Sequence, residues 1–222
     1  MSIEASNTVA MTQSEQVLED GLVAQLVGQG YTKVAVTDEA SMLLNLKAQL
    51  EAFNGVELTD GEFTKVLHHL NRSSGVFAKA KTLRDRMKLT KEDGETVYLE
   101  FFDSSHPLRN RWQATQQVAM DEGSYKNRYD VTILCNGLPV TQIELKRRGL
   151  EMKEAFNQIQ RYQKHSFWSG QGLFHFVQLF VISNGVNTKY YANARKQSYK
   201  QTFYWASQDN KTIRELKPFT EA

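Results

Sequence analysis

The sequence is poor in cysteine and proline, and each shortage narrows the possible structures. Of its 222 residues, one is cysteine (Cys135) and three are proline. A single cysteine cannot form an intrachain disulfide, which fits an intracellular, reducing compartment. The scarcity of proline, with no repeats or low-complexity tracts, argues against a string of small domains. We therefore predict a disordered stretch over residues 1–12 and a single domain over 13–222.

Long apolar runs and targeting signals are also missing. No segment approaches the roughly 18 apolar residues of a membrane helix, so no membrane partner is expected. The polar, acidic start MSIEASNTVAMTQSEQ does not resemble a secretory signal peptide. The glycine-rich phosphate-binding loop that ends in Gly-Lys-Ser or Gly-Lys-Thr is absent, so this chain contains no such ATP site. The five histidines form no metal-binding pattern, and Cys135 has no neighbouring histidine to activate it.

The net charge of +2 says little about a partner, whereas the local charge is more informative. One segment holds six basic residues and two acidic ones: Lys146, Arg147, Arg148, Lys153, Arg161 and Lys164 against Glu151 and Glu154. A run of this kind is usually a solvated face, and by itself it favours that interpretation over a nucleic-acid contact.

Hydrophobic periodicity predicts mainly helices in the first half of the chain and a sheet in the second. Helices are predicted over 14–28, 39–54, 60–71, 78–88 and 151–165. Strands are predicted over 31–36, 96–102, 112–119, 172–183 and 189–192, with the apolar run 172–183 as a central buried strand. The expected fold is an α/β (α+β) domain in which helices flank a mixed central β-sheet.

The segment YDVTILCNGLPVTQIELK predicts a β-hairpin with Asn-Gly-Leu-Pro at its turn. Its apolar set is Val131, Ile133, Ile143 and Leu145, which must share the core face because strand side chains alternate. A turn centred on Gly137 satisfies this pattern and places Asp130 almost directly opposite Glu144. The other face of the hairpin should then hold Asp130, Glu144 and Lys146 together.

Two carboxylates on directly opposite residues, whose Cβ atoms lie about 4.5–5.5 Å apart, repel one another unless solvent screens them or a divalent cation bridges them. Hard oxygen ligands with few protein contacts suit Mg²⁺. The nearby lysine, Lys146, can orient or deprotonate a water molecule and stabilise a pentavalent phosphate. These are the parts needed for phosphodiester hydrolysis. The alternative is a polar strand face with an ion pair, and the motif alone does not exclude it.

Two helices carry further polar candidates. Gln158 and Tyr162 are separated by four residues, so they share one helix face at the edge of the apolar stripe and can face the hairpin. Glu15 and Glu19 have the same spacing on the first helix, and Glu19 lies on its apolar stripe. Gln158 and Tyr162 could instead be packing residues at the boundary of the core. Glu15 and Glu19 could instead be solvated charges on the helix surface.

Taken together, Asp130, the NGLP turn, QIELKRRG and the Gln158-x-x-x-Tyr162 helix resemble a known family. This is the amino-terminal nuclease domain of the type I restriction enzyme R (HsdR) subunit, in the RecB-like branch of the PD-(D/E)xK superfamily. The likeness runs from about Glu15 to about Phe219, although Asp93–Glu122 yields no motif. Tyr129 stands where the superfamily name has proline, a position where proline is often absent.

The resemblance implies a restriction-endonuclease-like core and a role for each matching residue. Asp130, Glu144 and the main-chain carbonyl of Leu145 would bind Mg²⁺, for which Mn²⁺ can substitute, and Lys146 would be catalytic. Gln158 and Tyr162 would match a motif implicated in DNA handling and cleavage. An acidic residue of the first helix, Glu19 or alternatively Glu15, would complete the metal site.

The resemblance also implies partners and a longer parent protein. Double-stranded DNA would be the substrate, and methyltransferase and specificity subunits would complete a type I restriction complex. The family subunit continues into helicase-like motor domains that use ATP, so the chain is expected to be an amino-terminal fragment. The competing hypotheses are a stand-alone RecB-like repair nuclease, a non-catalytic DNA-binding or assembly module, and an α/β scaffold that binds no nucleic acid.

Overall fold

The computed structural model describes residues 14–122, 125–165, 167, 172–194 and 196–222. The predicted disordered stretch, 1–12, lies outside these residues. Within the described ranges, no helix is both long enough and apolar enough to cross a membrane.

Helices dominate the first third of the chain and strands the middle. The α-helices are α1 (Glu15–Gly28), α2 (Glu39–Asn54), α3 (Asp60–Asn71), α4 (Val76–Arg84), α5 (Met152–His165) and α6 (Leu216–Glu221). The strands are β1 (Thr32–Lys33), β2 (Met87–Thr90), β3 (Thr96–Leu99), β4 (Trp112–Glu122), β5 (Tyr125–Cys135), β6 (Leu138–Leu145), β7 (Leu179–Ser183), β8 (Thr188–Ala192), β9 (Trp205–Ala206) and β10 (Thr212–Ile213). Short 3₁₀ turns occupy Pro107–Arg109, Leu173–Phe176 and Tyr199–Gln201.

Six of the strands form one mixed sheet in the order β1-β4-β5-β6-β7-β8. The pairs β1–β4 and β6–β7 are parallel, and the other neighbours are antiparallel. The connection from β6 to its parallel neighbour β7 passes through α5, as a parallel pair requires. A mixed central sheet flanked by helices is the predicted fold class, and this prediction is confirmed.

Both faces of the sheet are covered by apolar packing. On one face α1 packs against the sheet through Leu18, Leu22, Val23, Leu26, Val131, Ile143, Leu145 and Val181. On the other face α2 to α5 contribute Met42, Leu46, Leu50, Phe63, Val66, Leu70, Leu83, Met152, Ala155, Phe156 and Ile159. The Ser14 hydroxyl accepts a hydrogen bond from the amide of Val17 and so fixes where α1 begins. Position and rotation of α1 are thus set by its cap and its apolar stripe.

The hairpin β5–β6 forms as predicted, but its turn differs. The turn consists of two residues, Asn136 and Gly137, so its centre lies between them and not on Gly137. Both residues have positive φ, as this kind of hairpin turn requires. A Cβ atom on Gly137 would meet the Leu46 Cα at 2.7 Å, so this position requires glycine for two reasons. A bulge between Ile133 and Leu134 then shifts the register by one residue and restores the pairing of Val131 with Ile143.

Two predicted elements are wrong in part. The helix predicted over 78–88 ends at Arg84, because Asp85 has extended backbone angles and the chain turns into β2. Met87 and Leu89 are buried while Lys88 and Thr90 are exposed, a period of two that the sequence interpretation overlooked. The apolar run 172–183 is not one strand: a 3₁₀ turn precedes β7, which begins at Leu179.

Two other predicted strands are shorter than expected. Of the strand predicted over 31–36, only Thr32–Lys33 pairs with the sheet. Of the strand predicted over 96–102, only Thr96–Leu99 is extended, and it pairs with β2 in a separate two-stranded sheet. In both places the chain leaves the strand for a loop that leads back to a helix or to β4.

Cys135 is the last residue of β5 and lies next to the hairpin turn. It is 2% exposed. Burial raises the pKa of its thiol to about 12, so the thiol is protonated at neutral pH. A thiol in this state is a poor nucleophile.

Candidate active site

Asp130 and Glu144 lie on adjacent strands, one row beyond the paired residues Val131 and Ile143. Glu144 is the penultimate residue of β6, and Lys146 immediately follows the strand. The Lys146 amide donates to the carbonyl of Ser183 at 2.8 Å and so extends the parallel contact with β7. The three residues thus meet at the carboxyl end of β6, beside its parallel neighbour.

Short polar contacts join these side chains. Asp130 Oδ2 accepts a hydrogen bond from the Leu145 amide at 2.7 Å. Lys146 Nζ lies 3.1 Å from Glu144 Oε1 and 3.0 Å from the carbonyl oxygen of Leu145. Among the described residues, Glu144 Oε2 is buried and has no hydrogen-bond partner. The cluster therefore contains one carboxylate oxygen that the protein leaves unsatisfied.

The site is more deeply buried than a polar hairpin face would be. The exposed fractions are 0% for Glu144 and 8% for both Asp130 and Lys146. The hairpin face that carries Glu144 is covered by helices, whereas the sequence interpretation treated it as the face away from the core. Charges held here are poorly screened by water, so their mutual interactions are strong.

Burial and charge together shift the acidities in this cluster. Burial raises the pKa of Glu144 well above its ordinary value, and the neighbouring Asp130 raises it further. Burial likewise raises the pKa of Asp130, although the hydrogen bond from Leu145 opposes this. Burial disfavours the charged form of Lys146, but the carboxylates of Glu144 and Asp130 outweigh it and raise its pKa. The surroundings of Lys146 therefore favour its charged form, while both carboxyl groups release their protons at a higher pH than usual.

Helix α1 brings two more acidic side chains to the cluster. Glu19 is 3% exposed, and burial raises its pKa to about 7, helped by the nearby Asp130. Glu15 Oε1 accepts a hydrogen bond from the Arg147 amide at 3.2 Å, and its Oε2 lies 3.9 Å from Lys146 Nζ. The structure thus brings both candidate residues to the site, Glu19 as the buried one beside Asp130 and Glu15 as the more exposed one beside Lys146.

Helix α5 contributes Gln158 and Tyr162, which contact each other. Gln158 Nε2 donates to the Tyr162 hydroxyl, which donates in turn to the carbonyl of Arg128 at 3.0 Å. Tyr162 is 3% exposed, and its ring packs edge-on against Tyr129, with 4.7 Å between centroids. The expectation that Tyr162 lies at the edge of the apolar stripe is therefore wrong, although its hydroxyl does face the hairpin. Its contacts instead fix the backbone that leads directly into Asp130.

The donors present fit a hard divalent cation with a partly hydrated shell. Within the described ranges, no group of three or more histidine, cysteine or acidic residues is arranged to hold a metal ion by itself. Two carboxylates and the carbonyl of Leu145 are instead the available oxygen ligands, and Mg²⁺ commonly keeps several waters in such a site. The unsatisfied Glu144 Oε2 and the raised carboxyl pKa values indicate a cluster that a cation would stabilise.

The basic segment that follows β6 is exposed, apart from Lys146. Its solvent-facing residues are Arg147, Arg148, Lys153, Arg161 and Lys164. They begin directly after the candidate active site and continue along α5. Cationic side chains in this position can contact the phosphates of a nucleic acid whose backbone approaches the carboxylates.

The stretch Asp93–Glu122, which yielded no motif, supplies β4 and one residue of the site. Gln117 Nε2 donates to Glu19 Oε2, so this side chain contacts the cluster through α1. Its backbone has a φ of 61°, which is unusual for a residue other than glycine. The sequence interpretation missed Gln117, because a glutamine in a strand carries no signal of such a conformation.

A cavity of about 720 Å³ lies beside the last turns of α5 and does not coincide with this site. Arg161, Lys164 and Asn193 are among its lining residues, whereas Asp130, Glu144 and Lys146 are not. The chemistry-bearing groups therefore lie at the carboxyl end of β6, in the middle of the sheet, and not in the cavity.

Comparison with known proteins gives consistent matches. The family model described as "Type I restriction enzyme R protein N terminus" matches residues 12–199. A type I restriction enzyme endonuclease subunit of Staphylococcus saprophyticus is 45% identical over 215 residues, which cover 94% of this chain and 23% of that protein. A Staphylococcus aureus counterpart is 41% identical over 216 residues, covering 95% of this chain and 23% of the relative.

The type I restriction enzyme EcoprrI endonuclease subunit of Escherichia coli is 43% identical over 216 residues. That match covers 94% of this chain and 69% of the relative. The chain spans about a quarter of the length of the staphylococcal relatives, at 23%.

Proposed function

The chain belongs to the family of type I restriction enzyme R protein N termini, and from this premise we propose that it is the DNA-cleaving domain of a type I restriction enzyme. In this proposal it hydrolyses phosphodiester bonds of double-stranded DNA with Mg²⁺, for which Mn²⁺ can substitute. The observation that carries the proposal is the buried pair Asp130 and Glu144 beside Lys146, with Glu144 Oε2 left without a partner. A merely structural ion pair would satisfy both carboxylate oxygens.

Each residue of the cluster has a distinct task in this proposal. Asp130, Glu144 and the carbonyl of Leu145 hold the cation, and Glu19 completes its surroundings. When bound, the cation neutralises charge on the phosphate and makes a coordinated water more acidic. Lys146 keeps its positive charge because of the carboxylates around it, so it can orient the attacking water and stabilise the additional negative charge of the transition state.

The supporting residues of α5 act mainly on geometry. Tyr162 holds the Arg128 carbonyl at 3.0 Å and packs on Tyr129, which fixes the approach of the strand to Asp130. Gln158 donates to the Tyr162 hydroxyl and orients it. Because a displacement of about 1 Å in a site of this kind can reduce the rate about 100-fold, this bracing is expected to matter for cleavage.

DNA is held through its phosphates in this proposal. The exposed residues Arg147, Arg148 and Lys153 offer charge to the backbone, and such contacts position DNA without reading its sequence. Sequence choice would then belong to a separate specificity subunit, which assembles with a methyltransferase subunit. ATP would be used by motor domains of the full-length subunit, and the complex would act in the prokaryotic cytoplasm where its DNA lies.

The names of the relatives favour this proposal over a stand-alone repair nuclease, because each is described as a type I restriction enzyme endonuclease subunit. The charged site favours it over a non-catalytic assembly module. A module without activity has no need to bury Asp130 and Glu144 together, since burying like charges is costly.

Plasmid cleavage by the chain tests the proposal. Wild type should nick supercoiled DNA with Mg²⁺ or Mn²⁺ and lose this activity in EDTA. Asp130→Asn should remain folded, because asparagine keeps an oxygen that accepts from Leu145, but it should neither cut DNA nor bind Mn²⁺ in calorimetry. Asp209→Asn, in an exposed turn, is the matched control and should behave as wild type. Cleavage by Asp130→Asn at the wild-type rate would show that the carboxylate assignment is wrong.

A further inference from the structure

The ladder between β4 and β5 is interrupted at one row. Gln116 pairs with Val131 and Val118 pairs with Tyr129, but Gln117 and Asp130, which lie between them, form no pair. Gln117 has a φ of 61°, in the left-handed region that residues other than glycine and asparagine rarely adopt. The irregularity therefore coincides with the strand position of a proposed metal ligand, Asp130.

The two strands exchange faces at this row. Alternate residues of a regular strand share one face, yet Ala114 packs in the cluster under α1 whereas Val118 packs in the cluster on the opposite face. On the neighbouring strand the same change separates Val131 from Tyr129. The backbone of Gln117 is thus the point where β4 changes the direction of its side chains.

This conformation aims Gln117 at α1. Successive strand residues normally point to opposite faces, but here both glutamines reach the same helix. Gln116 Nε2 donates to Asp20 Oδ1 at 2.9 Å, and Gln117 Nε2 donates to Glu19 Oε2. The first contact lies on the exposed side of α1, whereas the second reaches the buried carboxylate beside Asp130.

We propose that Gln117 is a positioning residue of the cleavage site, which holds Glu19 against Asp130 by means of its left-handed backbone. Glu19 and Asp130 repel each other when both are charged, so Glu19 needs a donor to keep it in place. Strained residues persist where the surrounding structure enforces them, and they concentrate at functional sites. Glycine would adopt this backbone without strain but would offer no amide. The inference rests on the proposed function.

Gln117→Gly separates the two roles that this residue can have. Glycine relieves the backbone strain, so the melting temperature should equal or exceed that of wild type. Loss of the amide releases Glu19, and the Mn²⁺ dissociation constant measured by calorimetry should rise about 10-fold or more, as for other residues that orient metal ligands. A purely structural glutamine would leave Mn²⁺ affinity unchanged or would lose stability and affinity together.

Two further variants complete the test. Gln116→Ala is the matched control, because it removes the neighbouring amide that contacts Asp20, and it should bind Mn²⁺ as wild type does. In a Glu19→Gln background, Gln117→Gly should weaken Mn²⁺ binding less than about 2-fold further, because residues acting through one another are not additive.

The outcomes distinguish this inference from the proposed function. Wild type that binds Mn²⁺, together with a Gln117→Gly variant of equal affinity, overturns the role of Gln117 and leaves the nuclease proposal standing. Wild type that neither binds Mn²⁺ nor cuts DNA overturns both. An undiminished effect of Gln117→Gly in the Glu19→Gln background overturns the route through Glu19.

Discussion

Replacing Glu19 with glutamine should change the pH dependence of stability by an amount that the structure allows us to work out. The folded protein raises the pKa of this carboxyl from 4.5 to about 7, mainly because Glu19 is buried. Since a tenfold change in an acidity constant corresponds to about 1.4 kcal/mol, the ionised side chain destabilises the folded state by up to about 3 kcal/mol. Glutamine keeps an oxygen for Gln117 but cannot ionise.

The direction in which stability changes with pH depends on whether Glu19 ionises first in the unfolded or in the folded chain. Below about pH 4.5 Glu19 is protonated in the folded and the unfolded chain alike, so it contributes no pH dependence there. As the pH rises to about 7, the unfolded chain loses this proton first, and the free energy of unfolding of wild type falls. Above about pH 7 the destabilisation is complete. Glu19→Gln should therefore gain about 2 to 3 kcal/mol over wild type between pH 5 and pH 8.

Urea denaturation in metal-free buffer at several pH values measures this difference. At pH 4 both proteins carry an uncharged group at position 19, so the same pair serves as its own control. Adding Mn²⁺ at pH 8 should stabilise wild type more than Glu19→Gln, because the carboxylate then faces a cation. Identical slopes of stability against pH for the two proteins would refute the assignment of Glu19 as a buried, high-pKa carboxyl.

Three further variants test the other parts of the site. Lys146→Ala should abolish cleavage but keep or tighten Mn²⁺ binding in calorimetry, because its ammonium group contacts Glu144 and the Leu145 carbonyl; a large loss of affinity would make Lys146 part of the ligand support. Tyr162→Phe should lose about 1 kcal/mol of stability, because it removes the hydrogen bond to the Arg128 carbonyl. Its cleavage rate per folded molecule should fall at least several-fold, and an unchanged rate would show that Tyr162 acts only in packing. Arg148→Ala should weaken DNA binding equally for all sequences and reduce the slope of log affinity against log salt by about 1 in filter-binding titrations; a sequence-dependent loss would contradict a phosphate contact.

The hairpin was predictable because its pattern is local. Alternating apolar residues and an Asn-Gly pair fix both strands, and they brought Asp130 and Glu144 to the same row. The position of the turn was not predictable in detail, because the bulge between Ile133 and Leu134 depends on pairing with the rest of the sheet. The predicted turn centre was wrong and the bulge was not foreseen, but the bulge compensates for the different turn. The pairing of β5 with β6 beside Asp130 and Glu144 is therefore the predicted one.

Tertiary packing explains the rest of what the sequence did not reveal. The depth of the site depends on α5 and α1 closing over both faces, and a strand pattern cannot distinguish a solvated polar face from one under a helix. Tyr162 was placed at an edge for the same reason. Gln117 became visible only through its backbone angle and its contact across 98 positions of the chain to Glu19.

Cys135 gives this molecule an internal reporter of hairpin opening. It is the sole cysteine of the chain, it ends the strand that carries Asp130, and its thiol is both enclosed and protonated. An alkylating reagent can reach it only when the chain around this end of β5 opens, so the labelling rate reads the frequency of that local unfolding event. Mass spectrometry of the whole chain is then sufficient to follow it without an introduced label. A cation or DNA that stabilises the hairpin would slow this alkylation. The rate at which Cys135 is labelled would thus report whether the active site is occupied, although Cys135 lies outside that site.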